Sequence, residues 1–184
     1  MAKRFLDITI AGLGLVVALP VIAVLIVLAR FDSPGPGLFR QLRVGRDERP
    51  FVCYKIRTMR LDAPNVATHL ALPAHTTRIG AMLRRTKLDE LPQLWNVTRG
   101  DMSLVGPRPC LPNQTRLIQE RRRRGVFAVR PGITGLAQIE GIDMSEPERL
   151  ATKDKDYVLN QSVKLDCIIL MRTIIERFGQ EKRG

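Results

Sequence analysis

The sequence predicts a small α/β protein of the α+β kind, irregular and helix-rich, with an N-terminal membrane segment and amphipathic helices at the membrane interface. Three observations carry this. An uncharged apolar run of 22 residues opens the chain, two short alternating runs follow it, and helical spacing dominates the rest. With 184 residues the chain can bury one compact core but not two ordinary ones. Residues 1–30 therefore read as the membrane segment and residues 31–184 as one domain on its cytoplasmic side.

The run from Ile8 to Ala29, "ITIAGLGLVVALPVIAVLIVLA", is long enough to cross a hydrocarbon core of about 30 Å as a helix. A cleaved signal peptide would have a shorter apolar stretch and a small-x-small site after it. Gly12 and Gly14 look like half of a dinucleotide fingerprint, but no strand precedes them, so they read as close helix packing. Pro20 removes one backbone hydrogen bond near the middle and favours a kink. Lys3 and Arg4 precede the segment, and Arg30, Arg40, Arg43 and Arg46 follow it, so both flanks are cationic. Two geometries fit: a kinked helix that enters and leaves by one face, and a plain bitopic span.

Beyond the segment, Ser33–Pro34–Gly35–Pro36 forms a rigid turn. Leu38–Val44 and Phe51–Ile56 then read as paired strands around "GRDERP", with outward residues that are largely cationic. Residues 61–76 carry two prolines and no sustained period, which predicts a loop; His69 and His75 fall there without a third ligand at metal spacing. Helical spacing returns at 77–98, placing Ile79, Met82 and Leu83, then Leu88, Leu91, Leu94 and Trp95, on a core face. Residues 99–112 crowd Gly, Pro and Arg around a short apolar run, an ordered loop presenting Arg108 between Pro107 and Pro109. A helix ending at Gly125 follows, its Arg121–Arg124 run read as a solvated or headgroup-facing end. The last two helices lie in 145–163 and 165–178, the second amphipathic and suited either to the interface or to the core.

Thirty Lys and Arg against eighteen Asp and Glu give a net charge of +12, which calls for an anionic partner: nucleic acid, lipid headgroups or a phosphorylated substrate. Aromatics make up only 5% and never interleave with basic residues, so nucleic acid is not expected. Cys53, Cys110 and Cys167 are odd in number and widely spaced, which fits a reducing compartment without structural zinc.

In this basic setting "TKLDELPQLWN" sets Asp89 beside Glu90. Taken alone, the pair fits a helix start, with acids at the positive end of the dipole and Pro92 in the first turn. The wider set of motifs points elsewhere. "KRFLD" at 3–7, "SPGPGLFRQLRVG" at 33–45, "YKIRTM" at 54–59, "LRRTKLDELPQLWNV" at 83–97, "GDMSLVGPRP" at 100–109 and "RPGITGLAQIEG" at 130–141 together resemble the bacterial sugar transferase family. These are the monotopic phosphoglycosyl transferases that begin glycan assembly on a polyprenyl phosphate carrier. The resemblance covers nearly the whole chain.

The resemblance implies transfer of a sugar 1-phosphate from a UDP-sugar to polyprenyl (undecaprenyl) phosphate, with release of UMP through a covalent phosphosugar enzyme. The sugar expected is an N-acetylated amino or deoxyamino sugar. By resemblance Asp89 is the nucleophile and Glu90 its partner. Lys55, Arg84 and Arg108 are phosphate-binding cations, and Asp154 is a further candidate on a looser local match. Mg²⁺ is the implied cofactor, near Asp89, where it would offset diphosphate charge. The implied location is the cytoplasmic face of a bacterial inner membrane. The family's membrane segment is a re-entrant helix broken at Ser-Pro; here the corresponding pair is Leu19-Pro20, so Pro20 is the expected break. The loop at 61–77 also departs from the family's commoner acidic form. The rival reading is a membrane-anchored basic binding module in which Asp89 and Glu90 only cap a helix.

Overall fold

The computed structural model describes residues 2–63 and 75–181. The expected loop lies largely outside the described residues, as does His69; His75 is half-buried. Helix α1 (Ala2–Asp32) contains Pro20, and at 1.5 Å per residue its length is about 46 Å. It is long and apolar enough to cross a membrane. Its buried stripe, Asp7, Ala11, Ala18, Ile22, Leu25 and Ala29, recurs at helical spacing, and its three alanines let neighbours approach closely. Gly14 meets Leu94, whereas Gly12 faces open space. Leu13, Val16, Val17 and Phe31 are exposed by 67% or more, so the helix is apolar on both faces.

Strands β1 (Leu38–Val44) and β2 (Pro50–Ile56) form the expected antiparallel hairpin, in register from Leu38 opposite Ile56 to Val44 opposite Pro50. Period-two alternation buries Phe51 and Cys53 and carries Lys55 to the same face. The outward cationic face holds for Arg40, but Arg43 is buried, donating through Nη1 to the Pro109 carbonyl at 2.9 Å.

The helical stretch at 77–98 divides in two. Helix α2 (Arg78–Thr86) starts at Thr77, whose hydroxyl accepts from the Gly80 amide at 3.0 Å, and stops because Lys87 turns left-handed at φ 57°. A 3₁₀ turn, Leu88–Glu90, leads to helix α3 (Gln93–Arg99). Met82 and Trp95 are 43% and 49% exposed rather than core residues, because the break rotates the two apolar faces out of one line.

Strand β3 (Ser103–Val105) pairs in parallel with β4 (Gly132–Thr134), separated in sequence by helix α4 (Thr115–Arg123) and a left-handed Gly125. Helices α5 (Leu136–Ile139), α6 (Pro147–Leu159) and α7 (Val163–Glu181) complete the chain. Helix α7 packs one face in the core and leaves other apolar residues exposed. Ile169 is fully buried and Leu165 and Leu170 pack on the core, while Met171, Ile174 and Ile175 are exposed.

Three apolar clusters hold these pieces. One joins α1, β2, α3 and β3 with Tyr157 and Ile169, a second gathers α4, α5 and α6, and a third packs Ala18, Ile22, Leu25 and Ala29 against Ile56 and Leu83. Both ends of α1 are also tied down by polar bonds. The Lys3 ammonium meets Asp166 at 2.6 Å, and Asp7 accepts from Ser103 and the Leu104 amide at 2.8 and 3.1 Å. At the other end Arg57 donates to the carbonyls of Ala29 and Ser33 at 2.9 and 2.6 Å, satisfying acceptors that a helix end leaves open.

Candidate active site

The site forms where the hairpin, the 3₁₀ turn and the β3–β4 loops converge. Lys55 lies near the end of β2 on its inward face, and its ammonium donates to Glu90 Oε1 at 2.8 Å. Asn96, fully buried in α3, fixes that distance. It accepts from the Tyr54 amide at 3.1 Å and donates to the Val52 carbonyl at 2.7 Å, clamping α3 to β2. Nothing in the periodicity marked Asn96, because a buried amide in a helix reads like any polar residue.

A 3₁₀ turn places neighbouring side chains about 120° apart, so Asp89 and Glu90 enter different surroundings. Both are buried. Burial by itself would raise the Glu90 carboxyl, but Lys55 and Arg108 outweigh it and hold the group down at about 2. Arg108 contributes through Nη2, 3.4 Å from the same oxygen. Asp89 is the opposite case. Burial pushes its carboxyl above the usual value, with Lys55, Lys87 and Arg84 opposing, and its Oδ1 has no hydrogen-bond partner among the described residues. One carboxylate is thus locked as an anion, and the other keeps a poorly solvated oxygen.

Arg84 reaches the site from α2, held by Nε donation to Thr58 Oγ1 at 2.9 Å. That pairing requires α2 to lie against residue 58, and Gly80 permits it: a Cβ there would come within 2.1 Å of the Thr58 carbonyl oxygen. Arg108 is positioned by a second close approach. A Cβ on Gly132 would fall 2.1 Å from the Gly106 nitrogen, so only glycine lets β4 cross the loop that carries Arg108. The Gly132 amide then donates to the Pro107 carbonyl at 3.0 Å.

Two cavities adjoin at the carboxylates. The smaller, about 210 Å³, is lined by Asp89, Lys55, Arg84 and Thr58. The larger, about 480 Å³, extends toward α5 and α6. Arg43, Lys87, Glu90 and Arg108 line both, forming a charged ridge between them. Of these, Arg43 and Lys87 escaped sequence reasoning: a strand arginine and a helix-end lysine carry no signal of their own.

Asp154 lies apart from this group. It accepts from Arg121 Nε and Nη2 at 2.9 and 2.7 Å in a pair whose side chains are 3% and 2% exposed, and it borders the larger cavity. The solvated reading of the arginine run therefore fails at Arg121, which turns inward because Asp154 on α6 compensates its charge and the Arg108 carbonyl accepts from Nη1 at 2.8 Å. Arg122 and Arg123 remain exposed and pair with Glu48 and Glu120.

Among the described residues no three His, Cys, Asp or Glu side chains cluster as a protein-only metal cage. A hard cation that keeps waters and binds mainly substrate phosphates needs only one or two carboxylates, and the unpartnered Oδ1 of Asp89 fits that need.

The arrangement sets a buried carboxylate with one unpartnered oxygen beside several cations that line the two cavities. Comparison with known proteins accords with this. The family model described as bacterial sugar transferase matches residues 1–180. A UDP-glucose:undecaprenyl-phosphate glucose-1-phosphate transferase of Caulobacter vibrioides is 39% identical, the match covering 95% of this chain and 68% of that protein. The exopolysaccharide production protein PSS of Rhizobium leguminosarum bv. phaseoli is 38% identical, over 98% of this chain and 96% of its own length. A UDP-N-acetylgalactosamine-undecaprenyl-phosphate N-acetylgalactosaminephosphotransferase of Aeromonas hydrophila is 36% identical over 96% of this chain, which spans only 44% of that protein. The chain belongs to the bacterial sugar transferase family.

Proposed function

We propose that the chain transfers a sugar 1-phosphate from a UDP-sugar to undecaprenyl phosphate in two displacements at Asp89. In the first, an Asp89 carboxylate oxygen bonds to the sugar-bearing phosphorus of the donor. The bond from that phosphorus to the bridging oxygen breaks, and UMP departs with the oxygen and its electron pair. In the second, a phosphate oxygen of the acceptor bonds to the same phosphorus, the bond to Asp89 breaks, and the carboxylate is restored. Splitting one reaction between two bulky anions into two steps is what a nucleophilic carboxylate provides.

The observation that carries this reading is the contrast within the pair: Asp89 retains an unpartnered buried oxygen, while Glu90 is held by Lys55 and Arg108. Glu90 fixes those cations around the transferring phosphate. Arg84, Arg43 and Lys87 add charge of the same sign along the cavity walls. Mg²⁺, held by Asp89 and donor phosphate oxygens, would supply further neutralisation of the diphosphate. The printed names of relatives support the acceptor and the UDP-linked donor; for the sugar they divide, the Caulobacter relative naming glucose and the Aeromonas relative N-acetylgalactosamine.

We read α1 as a re-entrant anchor on the cytoplasmic face of the bacterial inner membrane, with Pro20 near its middle. Both its ends bond the same globular body, which favours entry and exit by one face over a bitopic span. Its bare apolar surface is then the lipid contact. Release of UMP from a panel of UDP-sugars, with Mg²⁺ and undecaprenyl phosphate, tests the reaction. Turnover lost in Asp89→Asn supports it, turnover retained in that variant rules out Asp89 as the nucleophile, and no turnover by the folded wild type with any UDP-sugar returns the chain to the binding-module reading.

A further inference from the structure

The larger cavity has a use that the two-step reaction leaves open. At one end stand Arg43, Lys87 and Arg108; its walls include Ile133, Ile142 and Met144. Its volume of about 480 Å³ is that of an ordinary small-ligand pocket, and its lining mixes apolar walls with charged groups of both signs, Glu90, Asp143 and Asp154 among them. Gln138 of α5 lines it, and the amide of Gln138 is half committed. Nε2 donates to the Ile133 carbonyl at 3.3 Å, whereas Oε1 is buried without a hydrogen-bond partner among the described residues. A buried acceptor is seldom left unpaired in a native structure, so this oxygen calls for an N–H or O–H from outside the chain.

We propose that the larger cavity receives the nucleoside half of the donor and that Gln138 Oε1 accepts a hydrogen bond from the base; this rests on the transferase reading above. With Nε2 engaged, the amide presents an acceptor only. A pyrimidine with a ring N3–H, as in uracil, meets that acceptor, whereas cytosine opposes it with a lone pair at N3 and reaches it only by shifting its N4 amine into that place. The apolar walls suit the faces of a flat ring. The ridge of Arg43, Lys87 and Arg108 lies where the phosphates of such a nucleotide would emerge. Asp89 lines the smaller cavity and not the larger, so the scissile phosphorus lies at the ridge, with the sugar phosphate on the Asp89 side. UMP can then leave by the larger cavity without displacing the phosphosugar.

The test uses the full chain in detergent or lipid nanodiscs, with UMP and CMP as probes. In the wild type, UMP should bind more tightly than CMP and slow hydrogen exchange over residues 132–144. Gln138→Leu should weaken UMP about tenfold, the worth of one buried hydrogen bond, and abolish the preference over CMP. Gln138→Glu keeps an acceptor and should keep the preference. Wild-type UMP affinity and selectivity in Gln138→Leu would overturn the assignment of the base contact. Should that variant not fold, exchange in the unmodified protein still decides: protection confined to residues 56–61 would put the nucleotide in the smaller cavity and overturn the proposal. Turnover of a UDP-sugar by the wild type, measured alongside, separates the two ideas. Turnover with either overturning result removes the cavity assignment alone, whereas no turnover and no UMP protection removes the transferase reading with it.

Discussion

The Lys55 ammonium donates to Glu90 Oε1 at 2.8 Å, joining the end of a strand to a 3₁₀ turn 35 positions away in the chain. The bond fixes the site and leaves Asp89, next to Glu90, as the carboxylate without a matched partner. Its energetic consequence can be read in acid. Glu90 has its carboxyl lowered from 4.5 to about 2, so its contribution is full above the unfolded value and is lost as pH falls from 4.5 toward 2. The shift corresponds to on the order of 3 kcal/mol. Urea unfolding across that window should show a steep acid limb, flattened in Glu90→Gln.

Asp89 should behave in the opposite sense. A carboxyl raised by burial makes stability fall as pH rises from its unfolded value of 3.8 through the folded one, leaving a cost at neutral pH. Asp89→Asn should therefore unfold at a higher temperature than the wild type at pH 7, by about 1 kcal/mol in stability, while losing turnover. A variant both inactive and less stable would mean that the carboxylate is bound by groups that stabilise its charge.

The Arg121–Asp154 pair is expected to act by positioning. Asp154→Ala strands a buried guanidinium and should cost about 3–5 kcal/mol. Replacing both residues with apolar ones, Arg121→Met with Asp154→Leu, should recover much of that stability. Activity should not return with it, because Arg121 also holds the Arg108 carbonyl. Equilibrium unfolding and turnover, measured on the same three proteins, separate the two effects.

Gly132→Ala should disturb the loop that carries Arg108, since its Cβ would meet the Gly106 nitrogen at 2.1 Å. We expect a stability loss of more than about 2 kcal/mol and a fall in turnover larger than that of Gly125→Ala. At Gly125 nothing lies within 4 Å, so only the left-handed backbone conformation is strained.

Much of this was legible in the sequence for physical reasons. The hairpin showed through period-two alternation, the end of α4 through Gly125, and the long apolar helix α1 through its uncharged length. The resemblance carried by the ordered motifs named Asp89, Glu90, Lys55, Arg84 and Arg108, and the structure brings these five around one cavity. What escaped depended on long-range compensation. Arg121 reads as surface until Asp154 is seen to face it, and Arg43 reads as outward until the Pro109 carbonyl accepts from it. The break between α2 and α3 was hidden because Lys87, not glycine, takes the left-handed turn. Met82 and Trp95 kept helical spacing but lost their shared face at that break.

The central claim is a covalent phosphosugar on Asp89. The most direct measurement is intact-mass and peptide mass spectrometry of the protein incubated with its UDP-sugar and Mg²⁺ in the absence of any polyprenyl phosphate. The account predicts one sugar-phosphate increment per chain, mapped to the peptide holding Asp89, absent from Asp89→Asn and discharged on adding undecaprenyl phosphate. UMP release that requires the acceptor, with no adduct trapped before its addition, would contradict it.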